Sequence, residues 1–275
     1  MICIFSCIYF LYYYYCSLDE FDKRHKFLKY KEGKRKWIKN SFLLNSGIRF
    51  AFSSLIAAGM IIGVLLPIAY VLGSSSATSS EFPTEYKGHF DFYDFLANHI
   101  ASLEPTIRSS GEDVLPNVYC GMFTIILIPI FLLSKKIPRT EKVGSVVLLF
   151  IMYCSFNVNI LNFIWHGFHY PNDLPYRQSF MYSFVLLSIA HKAFKHISEF
   201  RIKHIILSCV VVLSFIISVM WFGSKNVSNI TIILTTIFTI LPFTTIILTI
   251  CFPSIESASS FFASAIASAA SISAG

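Results

Sequence analysis

Charge is scarce in this sequence: Asp, Glu, Lys and Arg make up 13% of its 275 residues, while 55% are hydrophobic. Soluble globular domains carry about twice that share of charge, so the composition excludes that class and points to an integral membrane protein. Several motifs of soluble chemistry are missing as well. There is no Walker-type or dinucleotide glycine loop and no G-x-S-x-G elbow, which removes the usual phosphate cradles and the serine-hydrolase device. The seven cysteines fit neither metal spacing nor a disulfide framework, since they fall in or beside apolar runs and only Cys120 lies beside a predicted loop. They read as small hydrophobes. Charge is also nearly absent from the apolar runs, which leaves a proton or ion relay little to run on and counts against a secondary transporter. The net charge of +7 does not imply nucleic acid, because the bases sit in a few clusters between hydrophobic runs. That is the pattern of membrane topology, not of a basic binding face.

What the chain has in quantity is apolar runs, at about 1–16, 50–72, 119–133, 143–161, 178–190, 205–222 and 230–252. A helix rising about 1.5 Å per residue needs about 20 residues to cross about 30 Å of hydrocarbon. The expectation is an all-α, polytopic membrane protein of about seven transmembrane helices, forming one domain over 1–252, with a Ser/Ala-rich tail at 253–275. The first run is short and has no basic region before it, so it does not read as a signal peptide. It reads as a helix whose beginning is missing, and the chain as a fragment.

The bases assign the sides. Residues 19–49 carry ten of the 22 Lys and Arg, and the loops after the third and fifth runs carry four each. The intervening loops carry two, one and one. This alternation puts the basic loops in the cytoplasm and the loops 73–118 and 162–177 outside. The basic block is also of a kind that meets anionic membrane lipids.

The external loops hold the candidate chemistry. Loop 73–118 has seven acids against two bases. Within it, residues 89–103 place Phe92, Phe95, Leu96, Ile100 and Leu103 at helical spacing, as for an amphipathic helix lying at the membrane surface. Asp91 and Asp94, flanked by aromatics, are its best candidates for a general base, because partial desolvation raises a carboxylate's proton affinity. Residues 162–180, N-F-I-W-H-G-F-H-Y-P-N-D-L-P-Y-R-Q-S-F, concentrate histidine, arginine, amide and aromatic groups between two membrane runs. Such a polar, proline-stiffened loop is a candidate ligand site. His166 and His169 are three apart with Asp173 beyond them, but Gly167 and Pro171 interrupt a helix there and no second carboxylate is near. No metal site is expected, and interfacial histidines are the plainer reading. Trp165, Phe168, Tyr170 and Tyr176 fit both an interfacial belt and a sugar-stacking surface. Arg177 at the mouth of a run needs an anionic partner: either a substrate phosphate, which its planar fork suits, or a carboxylate such as Asp173.

Three strings carry a resemblance: V-L-P-N-V-Y-C-G at 114–121, F-H-Y-P-N-D-L-P-Y-R-Q-S-F at 168–180 and, more weakly, D-F-Y-D-F-L at 91–96. In this order, each external string beside its apolar run, the sequence resembles the YfhO family of bacterial membrane proteins. The resemblance implies a GT-C-type glycosyltransferase in a bacterial cell membrane, moving a sugar from a polyprenyl-phosphate carrier to a cell-envelope polymer such as lipoteichoic acid. Its implied partners are the lipid-linked sugar, membrane lipids and that acceptor, with no nucleic acid. Asp91 and Asp94 would be catalytic, and Asn117, Tyr119, His166, His169, Asn172, Asp173, Tyr176 and Arg177 would bind substrate. Family members are several times longer, and GT-C enzymes place a catalytic carboxylate in an early external loop. A transporter or flippase of a lipid-linked substrate is the alternative reading.

Overall fold

The computed structural model describes residues 1–26, 32–73, 82–84, 86–105, 114–168, 176–197, 200, 202–222 and 227–251. Among them the fold is all-α: α1 (Ile2–Lys26), α2 (Glu32–Gly73), α3 (Phe92–Ala97), α4 (Met122–Leu133), α5 (Arg139–Asn157), α6 (Asn159–Trp165), α7 (Ser179–Lys195), α8 (Ile202–Phe222) and α9 (Asn229–Cys251). Hydrocarbon offers no partner for a backbone amide, so an apolar run that enters it must satisfy its own hydrogen bonds, as a helix does. Three helices are long and apolar enough to cross a membrane, over Leu44–Val71, Ile202–Phe222 and Asn229–Ile247, and two shorter apolar helices cover Ile2–Leu18 and Met122–Leu133. Pro67, Pro129 and Pro242 sit inside α2, α4 and α9; for α4 and α9, neighbouring helices can compensate for the missing amide. The Ser/Ala-rich tail expected at 253–275 lies outside the described residues.

α4 is the central helix and packs against α7, α8 and α9. Its Ile126, Leu127, Ile130 and Phe131 are buried in one core with Ile189, Ala193, Ile205, Val212 and Ile246. Between helices in lipid, burial by itself gains little, because acyl chains are as apolar as leucine. Close packing and small polar contacts hold such helices together. Ser208 supplies one, donating its hydroxyl to Ile126 O of α4 at 2.8 Å. Between α1 and α5, Tyr12 and Ser145 hydroxyls are 2.9 Å apart. Gly144 lets that pair of helices approach: a Cβ there would lie 3.1 Å from two carbons of the Tyr12 ring.

α2 differs from the rest. None of its membrane-length window is buried in the bundle. It meets α1 through two stacked ring pairs, Phe10 with Phe50 at 4.6 Å and Tyr14 with Phe42 at 5.9 Å.

The helices alternate in direction, so the bundle has two ends. At one end lie α3 and α6, together with the starts of α4, α7 and α9. The other end carries the α4–α5 turn, the end of α7 and the start of α8. There Lys142 donates to Leu132 O and Ser134 O, covering carbonyls that the end of α4 leaves open. Lys192 of α7 pairs with Glu141 of α5.

Residues 89–103 do not form the expected surface helix. The helix stops at Ala97, and turns closed by His99 N–H to Leu96 O and Ile100 N–H to Ala97 O follow. Asn98, His99, Ile100 and Ala101 all point inward and are buried. Thr231 and Thr235 of α9 donate their hydroxyls to Ser102 O at 3.3 Å and Ala101 O at 3.1 Å. These long-range partners satisfy the buried backbone that a free surface helix would keep for itself.

Candidate functional site

The end of the bundle that holds α3 is roofed by described residues of the three motif strings, and their packing is mutual; residues 169–175 of the third string lie outside the described residues. Phe95 from 91–96, Val114 and Val118 from 114–121, and Tyr176 from 168–180 share one buried cluster with Met152, Phe156, Trp165, Met181, Tyr182 and Leu186. Aromatic rings dominate it. The Phe95 ring lies 5.0 Å from both Tyr153 and His99 and 5.5 Å from Tyr182, each edge-on. Phe90 meets Tyr176 at 5.8 Å and Phe95 at 5.9 Å. Edge-to-face geometry puts ring hydrogens on negative ring faces, which adds direction to plain burial.

Neutral polar groups fix these strings in place. Asn98, at the end of α3, donates its side-chain amide to Pro116 O at 2.9 Å, tying that helix to the second string. His99 reaches Phe95 O with Nδ1 at 3.1 Å and the Tyr182 hydroxyl with Nε2 at 3.0 Å. A carbonyl can only accept, so Nδ1 carries the proton, and Nε2 accepts from the Tyr182 O–H. Complete burial of His99 pushes its pKa down from 6.5 to about 4, so the ring is neutral at pH 7. The pair thus joins the first string to α7 without a charge.

A second clamp comes from the break between α5 and α6. Val158 is extended there, with φ −88° and ψ 118°, and residues 87–90 run against it. Asn157 Oδ1 accepts from His89 N–H at 2.9 Å and Phe90 N–H at 3.1 Å. Asn159 Oδ1 accepts from Lys87 N–H at 3.2 Å, and Gly88 forms an isolated antiparallel bridge with Val158. These contacts aim Asp91 and α3. His89 lies beside Tyr176, ring centres 6.2 Å apart, and its pKa is lowered by burial and by the Lys87 charge.

The turn that leads into α7 contains a strained residue. Tyr176 has φ +58°, a left-handed conformation that costs a non-glycine residue about 1 kcal/mol or more. Its ring is buried and burial raises the phenol's pKa to about 12. The next residue, Arg177, is turned to the surface, while Gln178 is fully buried. Gln178 Nε2 donates to Asn162 Oδ1 at 3.3 Å. The strain therefore sits where the chain reverses from a ring under the roof to a cation above it.

Placement divides the ten candidate residues. Asp91, Asn117, Tyr119 and Arg177 are exposed and Asp94 is partly so, all at this end. His166 and Tyr176 are buried beneath them. His166 closes the last turn of α6, its Nδ1 donating to Asn162 O at 2.8 Å, so this residue and Tyr176 shape the site from below. His169, Asn172 and Asp173 lie outside the described residues. Among the described residues no group of three or more His, Cys, Asp or Glu is placed to hold a metal ion. Cys120, in the second string, has its thiol pKa raised to about 11 by burial and is no thiolate at pH 7.

Sequence reasoning missed His99, Tyr182, Asn157 and Gln178. The two asparagines of N-V-N at 157–159 carried a signal: they interrupt an apolar run that otherwise reads as an unbroken span.

The chain has no match among curated proteins or solved structures. A family model described as bacterial membrane protein YfhO matches residues 1–274. With all three motif strings gathered at one end of an all-α membrane bundle, the chain belongs to the YfhO family of bacterial membrane proteins.

Proposed function

We propose that this chain forms the membrane-embedded site of a GT-C-type glycosyl transfer, from a polyprenyl-phosphate-linked sugar to an extracellular cell-envelope acceptor such as lipoteichoic acid. The observation that carries the reading is the convergence of the three strings on one aromatic floor, with Asp91, Asp94, Asn117, Tyr119 and Arg177 displayed at that end. The excess of bases in the loops of the opposite end makes that end cytoplasmic and the site external.

In the transfer, an acceptor hydroxyl attacks the anomeric carbon as the bond from that carbon to the carrier phosphate breaks. Negative charge grows on the departing phosphate, and the acceptor gives up a proton. Arg177 meets the phosphate with a planar, bidentate fork, so its contact strengthens as the charge develops. Asp91 or Asp94 takes the proton. Asn117 and Tyr119 offer amide and phenol groups to sugar hydroxyls. Because Asn98, His99 and Gln178 are fixed and neutral, the floor does not have to reorganise as the phosphate charge forms.

Arg177→Lys tests the reading. Lysine keeps the charge and loses the fork, so transfer should fall by about 10²-fold or more while membrane insertion stays normal. The assay is sugar transfer from polyprenyl-phosphate donors in proteoliposomes containing the chain, run beside the longest reading frame that contains it. Undiminished transfer by the variant removes Arg177 from the mechanism. Movement of the lipid-linked substrate across the bilayer without transfer would replace the enzyme by a flippase.

A further inference from the structure

The opposite end of the bundle contains a cavity that the proposed transfer does not use. Its volume is about 580 Å³, within the range of about 300–1,000 Å³ typical of ligand pockets. The α4–α5 turn, Phe200 and the start of α8 line it as an open cleft, with Leu133 and Phe200 as its apolar residues and Lys135, Lys136, Lys203 and His204 as its basic ones. Phe200 is buried, and Lys135, Lys136 and Lys203 are exposed. These cations come from two elements far apart in sequence, so the cavity is made by the fold and not by one basic run.

Glu141 of α5 is paired with Lys192 of α7. Lys142 adds a further ammonium behind the turn, anchored on Leu132 O and Ser134 O. The cavity therefore combines clustered positive charge with an apolar wall, at the point where the apolar run of α4 gives way to lysines. That is headgroup depth for a lipid in the leaflet at this end. A phosphate diester attached to glycerol and acyl chains matches each part, with phosphate on the lysines and the glycerol ester region against Leu133 and Phe200.

We propose that this cavity is a binding site for the phosphate headgroup of an anionic phospholipid. The site rests on its own residues and is independent of the glycosyl-transfer reading.

The test is native mass spectrometry of the whole chain in neutral detergent, titrated separately with phosphatidylglycerol, phosphatidylcholine and glycerol phosphate. Phosphatidylglycerol should bind about tenfold or more tightly than either of the others. The Lys135→Ala/Lys203→Ala variant should weaken phosphatidylglycerol binding by roughly tenfold. A charge-matched control, Lys87→Ala/Lys195→Ala, should change it less than about twofold. Both substituted lysines of the first variant are exposed, so their loss leaves the packing intact. An equal loss in the two variants would reduce the effect to general surface charge and overturn the site. Equal binding of phosphatidylcholine would remove the role of charge, and equal binding of glycerol phosphate would make the ligand a soluble phosphate ester, each overturning the assignment.

Discussion

At the α3 end, Asn98, His99, Asn162 and Gln178 are buried and uncharged, and their bonds reach partners far away in sequence. At the other end, Lys135, Lys136 and Lys203 are exposed, Lys142 covers a helix terminus and Lys192 is matched to Glu141. The two arrangements have different energetics. A buried polar group that loses its partner costs about 1–3 kcal/mol, whereas an exposed ion pair is worth about 0–1 kcal/mol. Shape is therefore fixed at the α3 end, where the motif residues converge. At the basic end the exposed charges hold little of the fold.

Acid should break this contrast with the largest effect. The folded pKa of His99, about 4, lies below its ordinary 6.5, so between those values the unfolded chain binds the extra proton. The stabilisation is complete above about pH 6.5 and is lost as the pH falls toward 4, by on the order of 3 kcal/mol in total. Thermal melting in detergent should show a lower Tm at pH 5 than at pH 7, and His99→Phe should flatten that limb. Identical slopes for the two proteins would detach His99 from the effect.

Next in size is the clamp on residues 87–90. Asn157→Ala removes the side-chain acceptor of two backbone amides and should cost about 1–3 kcal/mol. Limited proteolysis would then cut ahead of Asp91 sooner than in the unaltered protein, while Asn157→Asp, which keeps an acceptor oxygen, should resist nearly as well. The smallest change belongs to the basic end. Glu141→Gln breaks the part-buried pair with Lys192 and should shift stability by about 1 kcal/mol. A shift as large as that of Asn157→Ala would mean that the two ends are not different in kind.

The membrane class and the apolar runs were legible in composition and run length, because lipid allows little besides helices. The three strings were legible too, and they meet in one cluster. What stayed hidden was the inward turn of residues 98–101. Helical spacing put Ile100 on an apolar face and left His99 on the polar one. The chain leaves the helix at Ala97, because Pro116 O, Tyr182 and the α9 threonines offer bonds that a helix wheel does not contain. Those partners are 18, 83 and 134 positions away, beyond the reach of any local period. Gln178 was hidden for a related reason: next to Arg177 it reads as one more loop polar, and only the reversal at Tyr176 sends the two side chains opposite ways.

α2 gives a further consequence. None of the residues in its apolar window is buried in the bundle, and its exposed leucines and isoleucines suit contact with lipid. Exchanging one for another should leave every contact of the α3 end unchanged, because what those residues specify is a depth in the bilayer. α2 acts on the rest of the chain as a mooring, tied to α1 by the Phe42 and Phe50 rings and otherwise facing outward.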